Sequence, residues 1–310
     1  MAKLQKITIG SRSSKLSIAQ SDIVRDLILD NNPLYRDNSG FIEIRSFTTK
    51  ADKVIDRPLS EIGGKGLFTH EIETSLLNSS IDIAVHSMKD MATNCHDDLT
   101  ISAVISREDP RDSFISNKYS SLDELPKNAV IGTSSLRRKA IILSKRPDLK
   151  IVNFRGNVLT RLTKLDNDEV DATILSYAAL KRLSLEDKAK QIFSIEEFIP
   201  APAQGTITIQ TRKNDDFTKK LISKANCQKT QIATEAERLF LRILDGSCKT
   251  PIAAFCQIND NIIDFKGFIA TLDGKKFFKL EFSSKINDHI AIITEKTLEI
   301  KKEYDNYHRN

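Results

Sequence analysis

Apolar positions change period several times along the chain, and each change marks an element. Residues 6–9 read as a short strand. Gly10-Ser11-Arg12-Ser13-Ser14 then opens a helix whose Leu16, Ala19, Ile23 and Leu27 follow the helical period. Residues 41–47 alternate, with Ile42 and Ile44 on one face, as a strand requires. The loop Gly63-Gly64-Lys65-Gly66 precedes a predicted helix carrying Phe68, Ile72 and Leu76. Residues 81–85 form an apolar strand that ends at His86-Ser87-Met88-Lys89-Asp90.

The same rhythm resumes after the charged loop 107–112. Residues 129–131 predict a strand, and Thr133-Ser134-Ser135 caps a helix through Leu136, Ala140 and Leu143. Residues 151–154 predict the next strand, followed by Arg155-Gly156-Asn157 and a helix with Val158, Leu162 and Leu165. Residues 172–175 lead as a strand into a helix over 177–183. Strands alternating with helices of this length predict parallel α/β sheets. Pro200-Ala201-Pro202-Ala203-Gln204-Gly205 breaks the rhythm, and 206–210 alternates again. A helix-rich stretch over 217–244, strand-like runs at 252–258, 262–270 and 276–282, and a final helix from Asp288 predict a separate α+β domain. Residues 303–310 are polar and expected to fray.

Length and composition narrow the class. At roughly 100–200 residues per domain, the 310 residues make two or three domains. With 40% hydrophobic and 29% charged residues the composition is globular, and no apolar run approaches the roughly 18 residues of a membrane span. Residues 1–6 show no signal-peptide core. Four cysteines without a CxxC pair fit a reducing compartment better than a disulfide framework or a metal site. The expectation is a cytoplasmic protein. The net charge of +5, from 47 basic and 42 acidic residues, is too weak for a nucleic-acid-binding face.

Where the arginines sit matters more than their number. In open α/β sheets, ligands bind beyond the carboxyl ends of the strands. Arg12, Lys89, Arg137, Arg138, Arg155, Arg161 and Arg182 all fall near such ends, many in the first turns of helices. Helix N-termini already carry a partial positive charge, so arginines there crowd like charges unless an anion neutralises them. The guanidinium fork matches a carboxylate or phosphate bidentately. A salt bridge on a solvated face accounts for any one of these arginines; six at one topological position point to a polyanion. Asp90 stands as the one acid in the middle of the basic set, either as a proton shuttle that stabilises a developing cation or as a helix cap. His86 is expected to pack at the strand end. Cys227 and Cys256 read as inert core thiols, and Cys95 lies in a polar loop. Cys248 lies in the tight loop Asp245-Gly246-Ser247-Cys248-Lys249-Thr250-Pro251, where the adjacent lysine favours a thiolate, although local chemistry alone leaves an accidental loop cysteine open.

Taken in order, eight blocks resemble the hydroxymethylbilane synthase (porphobilinogen deaminase) family. They are IGSRSSKLSIAQ from Ile9, GGKGLF from Gly63, DIAVHSMKD from Asp82, REDPRD from Arg107, IGTSSLRR from Ile131, FRGNVLTRL from Phe154, LKRL from Leu180 and GSCKTPIA from Gly246. The resemblance implies an enzyme that joins four porphobilinogen molecules head to tail, loses ammonia at each step and releases a linear tetrapyrrole. It implies a dipyrromethane cofactor held through Cys248, and Asp90 with Lys89 as the catalytic groups. Arg12, Ser14, Thr133, Ser135, Arg137, Arg138, Arg155, Gly156, Arg161, Arg182 and Gln204 match positions that hold the carboxylate-bearing cofactor and chain. Lys65 and Phe68 match the family's lid.

The implied fold has two periplasmic-binding-protein-like α/β domains enclosing a cleft, plus a smaller C-terminal α+β domain. The implied boundaries are 1–105 with 204–223, 106–203, and 224–310, in a monomer. The chain departs from the family at Ala203 and Thr206, where Gly-Gln-Gly-Ala is usual, at Ser247, where glycine is usual, at Met91-Ala92, and at Glu61. Two other classes remain as alternatives. A two-domain binding protein for an anionic ligand would need neither Asp90 nor Cys248. Nucleic-acid binding lacks an aromatic-basic platform.

Overall fold

A computed structural model describes residues 4–49, 69–246 and 250–309. The described chain divides into two compact units. The first comprises 4–49, 69–108 and 206–231; the second comprises 109–205, 232–246 and 250–309.

In the first unit, strands β1 (Ile7–Arg12), β2 (Ile42–Phe47), β3 (Ile83–Ser87), β4 (Leu99–Val104) and β10 (Ile207–Arg212) form one sheet in the order β2-β1-β3-β10-β4. β1 runs parallel to β2 and β3, whereas β10 runs antiparallel to β3 and β4. Helix α1 (Lys15–Asn31) covers one face of the sheet, where Val24 and Ile28 pack on Ile7, Ile9, Ile83 and Val85. A four-residue helix α2 (Pro33–Arg36) follows. Helix α3 (His70–Leu77) covers the other face, through Ile72 and Leu76 on Ile81 and Ala84. Burying each such side chain contributes roughly 1.5–3 kcal/mol. Gly10 allows this close approach, because a Cβ there would collide with the Ile81 side chain.

The second unit repeats the scheme. Strands β5 (Asp112–Ile115), β6 (Val130–Gly132), β7 (Lys150–Val152), β8 (Ala172–Ser176) and β9 (Gln191–Ile192) take the order β7-β6-β8-β5-β9. β6 is parallel to β7 and β8, and β5 is antiparallel to β8 and β9. Helices α4 (Leu136–Lys145) and α5 (Val158–Asp166) bury Ala140, Ile142, Leu162 and Leu165. Helix α6 (Tyr177–Lys181) follows β8 directly. The last part of the chain is an antiparallel sheet β11 (Ile252–Asn259), β12 (Ile262–Ala270) and β13 (Phe277–Lys285) with helix α9 (His289–Arg309). Its side chains alternate between two cores: Ile263 and Phe265 pack with Phe240 and Ile293, while Ala253, Phe268 and Ala270 join the cluster of Phe114, Ile131 and Ala140.

The α/β reading with a C-terminal α+β part holds, with corrections. The two large sheets are mixed rather than parallel, because β10 and β5 each enter between neighbours that they oppose. Strands β4, β5 and β9 were not foreseen. The helix-rich stretch expected over 217–244 holds two helices, α7 (Asp216–Ile222) and α8 (Gln228–Ile243), parted by a tight turn and an extended Asn226. The C-terminal residues expected to fray are helical to Arg309, where Tyr304 and Tyr307 pack edge-on against Phe278. Helix α1 is rotated from its expected phase: Gln20 and Ser21 are buried and Ile23 is exposed. The Gln20 amide is used as a strut to Ser87, described below.

Candidate active site

In the first unit the candidate residues gather at the carboxyl ends of β1 and β3. Arg12 ends β1, and Ser14 caps α1 by accepting from the Ser17 N–H over 3.2 Å. Three residues of 3₁₀ turn, Met88–Asp90, follow β3 and carry Lys89 and Asp90, both half-buried. Two backbone bonds shape this turn, Met88 N–H to Thr206 O at 3.0 Å and Met91 N–H to Met88 O at 3.2 Å. On the α1 side, Gln20 Nε2 donates to Ser87 Oγ over 2.8 Å, and the Ser87 hydroxyl lies 3.2 Å from Gln20 Oε1. His86 is buried at the strand end, as expected.

The second unit collects the larger part of the set. Ser135 caps α4, and Thr133 Oγ1 accepts from the Ser135 N–H over 3.2 Å, so the segment after β6 is folded back on itself. That fold aims Arg137 and Arg138 inward, where they are 4% and 6% exposed. Between them lies Asp112, 0% exposed. Its Oδ1 accepts from Arg138 Nε at 3.2 Å, Arg138 Nη2 at 2.7 Å and Gln204 Nε2 at 3.0 Å, and its Oδ2 lies 2.8 Å from Arg137 Nη1. Backbone carbonyls complete the clamp: Arg138 Nη1 donates to Ile174 O, Arg137 Nη1 to Ile199 O and Gln204 Nε2 to Pro110 O. Burial alone would raise the Asp112 carboxyl, but the two guanidiniums overcome it and hold the group well below the usual carboxylate range. The Asp112 carboxylate thus remains an anion.

Asp112 corrects the expectation that Asp90 is the one acid among the arginines. Its burial follows from β5 running antiparallel beside β8, which sets Asp112 opposite Ser176 at the edge where β6 and β8 end. The signal was present in the loop 107–112 but could not be read without that pairing. Two guanidiniums sharing one carboxylate leave an excess positive charge, and Arg137 Nε is a buried donor without an acceptor among the described residues. Such a donor set fits an anionic group bearing carboxylates, because an uncompensated buried charge costs several kcal/mol until an anion meets it.

The remaining candidates lie at neighbouring strand ends. Arg155 is buried after β7. Gly156 has φ +123°, and a Cβ there would meet the Thr160 side chain; its carbonyl accepts from Arg161 Nε over 2.9 Å. Arg182 Nη2 donates to Gly205 O over 2.6 Å, tying the end of α6 to the turn that carries Gln204. In that turn Ala203 has φ +61°, and its N–H is held by buried Glu237 at 2.6 Å. The same carboxylate accepts from Cys256 N–H at 2.7 Å. Sequence reasoning missed Glu237, which reads there as one charge of an amphipathic helix.

Cys248, Lys65 and Phe68 lie outside the described residues, as do Ser247 and Glu61. Cys256 is buried as expected. Cys227 is only half-buried, and it is less inert than expected. Burial opposes its ionisation, but the Thr230 hydroxyl and the backbone N–H groups of Thr230 and Lys229 outweigh burial and bring the thiol below its ordinary value.

Two family models match most of the chain. Residues 7–220 match "Porphobilinogen deaminase, dipyromethane cofactor binding domain", and residues 231–301 match "Porphobilinogen deaminase, C-terminal domain". A porphobilinogen deaminase of Nitrobacter winogradskyi is 46% identical over 272 residues, covering 88% of this chain and 85% of that one. That of Nitrobacter hamburgensis is 43% identical over 295 residues, covering 95% and 92%. A periplasmic substrate-binding protein of an ABC transporter from Coxiella burnetii superposes with a TM-score of 0.44 at 14% identity, covering 75% of this chain and 96% of that one. The family matches define a transferase of porphyrin biosynthesis that carries a dipyrromethane cofactor. The chain belongs to the porphobilinogen deaminase family.

Proposed function

We propose a division of labour among the residues for the hydroxymethylbilane synthase reaction that comes with this family. Asp90 is the catalytic carboxylate. It accepts hydrogen bonds from pyrrole N–H groups, faces the positive charge that develops on porphobilinogen as its amine leaves, and passes the proton that must move. A fixed anion at a developing cation is the mirror image of an oxyanion hole. Lys89 beside it engages the substrate carboxylates.

Arg12, Arg137, Arg155, Arg161 and Arg182 hold the acetate and propionate groups, with Ser14, Thr133 and Ser135 assisting. Each well-formed charge-assisted bond contributes roughly 1.5–3 kcal/mol. Arg138 does more of its work inside the protein, since three of its donors go to Asp112 and Ile174. Gly156 lets the backbone turn beside these groups, and Gln204 braces Asp112 through the same oxygen that Arg138 engages. The dipyrromethane, attached through Cys248, supplies the pyrrole that extends by carbon–carbon bond formation. Lys65 and Phe68 belong to the segment that shields the site from water.

The observation that carries this reading is the shared Asp112 carboxylate with its excess guanidinium and an Arg137 Nε that has no acceptor among the described residues. The test is product chemistry: purified enzyme with porphobilinogen should release linear tetrapyrrole and four ammonia molecules for each. An anion-binding protein would take up the ligand and release neither.

The same proposal keeps three domains, 1–105 with 204–223, 106–203, and 224–310, in a cytoplasmic monomer that contacts neither nucleic acid nor membrane. Among the described residues no helix is long and apolar enough to cross a membrane, and no cluster of His, Cys, Asp and Glu could hold a metal ion.

A further inference from the structure

Behind the Asp90 turn, three polar side chains from three elements form a chain that the reaction as proposed does not use. His86 is 5% exposed on β3. Its Nε2 lies 3.1 Å from Gln210 Oε1 on β10, and Gln210 Nε2 donates to Glu73 Oε1 on α3 over 3.0 Å. A carboxylate oxygen accepts, so the amide nitrogen of Gln210 must face Glu73 and its oxygen must face His86. That oxygen also only accepts, so the proton of the imidazole sits on Nε2. Burial pushes His86 down to about 4, outweighing the Glu73 carboxylate, which pulls it up. The ring is therefore neutral at working pH, with one N–H and that one committed to Gln210.

Strand register explains why this chain reaches the active-site turn. Ile9 pairs with Ile83 and Gly10 with Ala84, so Arg12 and His86, two residues further along each strand, come level on the α3 face of the sheet. Thr208 pairs with His86, which sets Gln210 diagonally beside the ring. Asp90 and Arg12 both act on the imidazole through space, with opposite signs. One residue later, Ser87 is tied by Gln20 to the other face. Consecutive residues are thus anchored on opposite sides of the sheet just before the three-residue turn that carries Asp90.

We infer that His86, through Gln210 and Glu73, is a positioning residue that holds the turn carrying Asp90 in its working geometry. The inference rests on the reading of Asp90 as the catalytic carboxylate. Removing the ring leaves Gln210 Oε1 buried without its donor and gives the turn space to shift, and a displacement of about 1 Å at a reacting group lowers a rate by about 100-fold.

The experiment compares full-length His86→Leu, His86→Gln and Asp90→Asn with the parent. Cofactor loading is read by intact mass, folding by thermal unfolding, and turnover by steady-state kinetics with porphobilinogen. His86→Leu should load and fold, with kcat lowered about 10- to 100-fold and KM within about 3-fold of the parent. His86→Gln offers an amide N–H at the Nε2 position and should recover kcat to within about 5-fold of the parent. A folded, loaded His86→Leu with kcat within about 2-fold of the parent would overturn the inference, as would a His86→Gln no faster than His86→Leu. Should His86→Leu fail to fold, Gln210→Leu removes the acceptor, keeps the ring, and carries the same expectation and the same refutation. Asp90→Asn separates the two claims: normal turnover there removes the reading of Asp90 and the inference with it, whereas an inactive Asp90→Asn beside an unaffected His86→Leu removes only the role of His86.

Discussion

The two α/β units share a strand plan and use charge in opposite ways. In the first, a buried neutral pair, His86 and Gln210, backed by the half-buried Glu73, lies behind a turn that carries one half-buried acid, Asp90. In the second, the acid is the hidden member: Asp112 is fully buried and two arginines close on it. Each unit thus surrounds its charge-bearing side chains differently, with a hydrogen-bonded His–Gln–Glu chain in one case and a shared counter-ion in the other. The difference shows that a run of arginines near strand ends is not a uniform set of ligand clamps. Arg138 is engaged at Nε, Nη1 and Nη2 by its own protein, whereas its neighbour Arg137 keeps a buried Nε without an acceptor among the described residues.

The sharpest way to break the comparison is Asp90→Asn, which keeps the shape of the turn and removes the charge. Turnover should fall by at least about 100-fold while fold and cofactor attachment survive. Near-normal product formation in a stopped assay would refute the role given to Asp90.

Next come the two arginines, each changed to leucine. Arg138→Leu should lower stability by about 3–5 kcal/mol in urea unfolding, because it strips a buried carboxylate of its bidentate partner. Arg137→Leu should lose less stability and fail instead in cofactor assembly or chain initiation, read by intact mass. A loaded, normally elongating Arg137 variant would count against the clamp.

The pH dependence of stability sharpens the second half of the comparison. The Asp112 carboxyl is depressed in the folded state by Arg137 and Arg138, against the effect of burial. Its contribution is therefore complete above the unfolded value of about 3.9 and is lost as pH falls toward the folded value. Urea midpoints of the parent should drop between about pH 5 and 3. Those of Asp112→Asn should start lower at neutral pH and fall less steeply. Parallel curves would show that the carboxylate titrates elsewhere.

The smallest effects concern the departures from the family at the Gln204 turn. Ala203 occupies the left-handed region, which favours glycine, and Thr206 Oγ1 is buried without a partner among the described residues. Ala203→Gly should stabilise by up to ~1 kcal/mol and Thr206→Ala by ~1 kcal/mol or more, both seen as a rise in urea midpoint. A fall in both would mean that the turn has relaxed around the residues it carries.

Much of this was legible in the sequence because local pattern encodes it. The helix cap at Ser135 and the arginines behind it lie within six residues of one strand end, so period and capping chemistry find them together. The eight family blocks carried the reaction itself. What stayed hidden depends on pairing between distant residues. Asp112 is an ordinary loop acid until β5 is set antiparallel to β8. His86 and Gln210 are 124 positions apart and meet only because β10 returns to the sheet beside β3. Gln20 breaks the apolar phase of α1 for the same reason: it serves Ser87 on another strand, 67 positions on.

The account turns on a covalent primer attached through Cys248 and held by the arginine-rich site. The most direct measurement is the intact mass of freshly purified, denatured enzyme, followed by peptide mapping around Cys248. Two linked pyrrole units on that cysteine, present on purification or added by incubation with porphobilinogen, are the predicted result. A chain that remains unmodified after that incubation, or that carries the adduct on another residue, would contradict it.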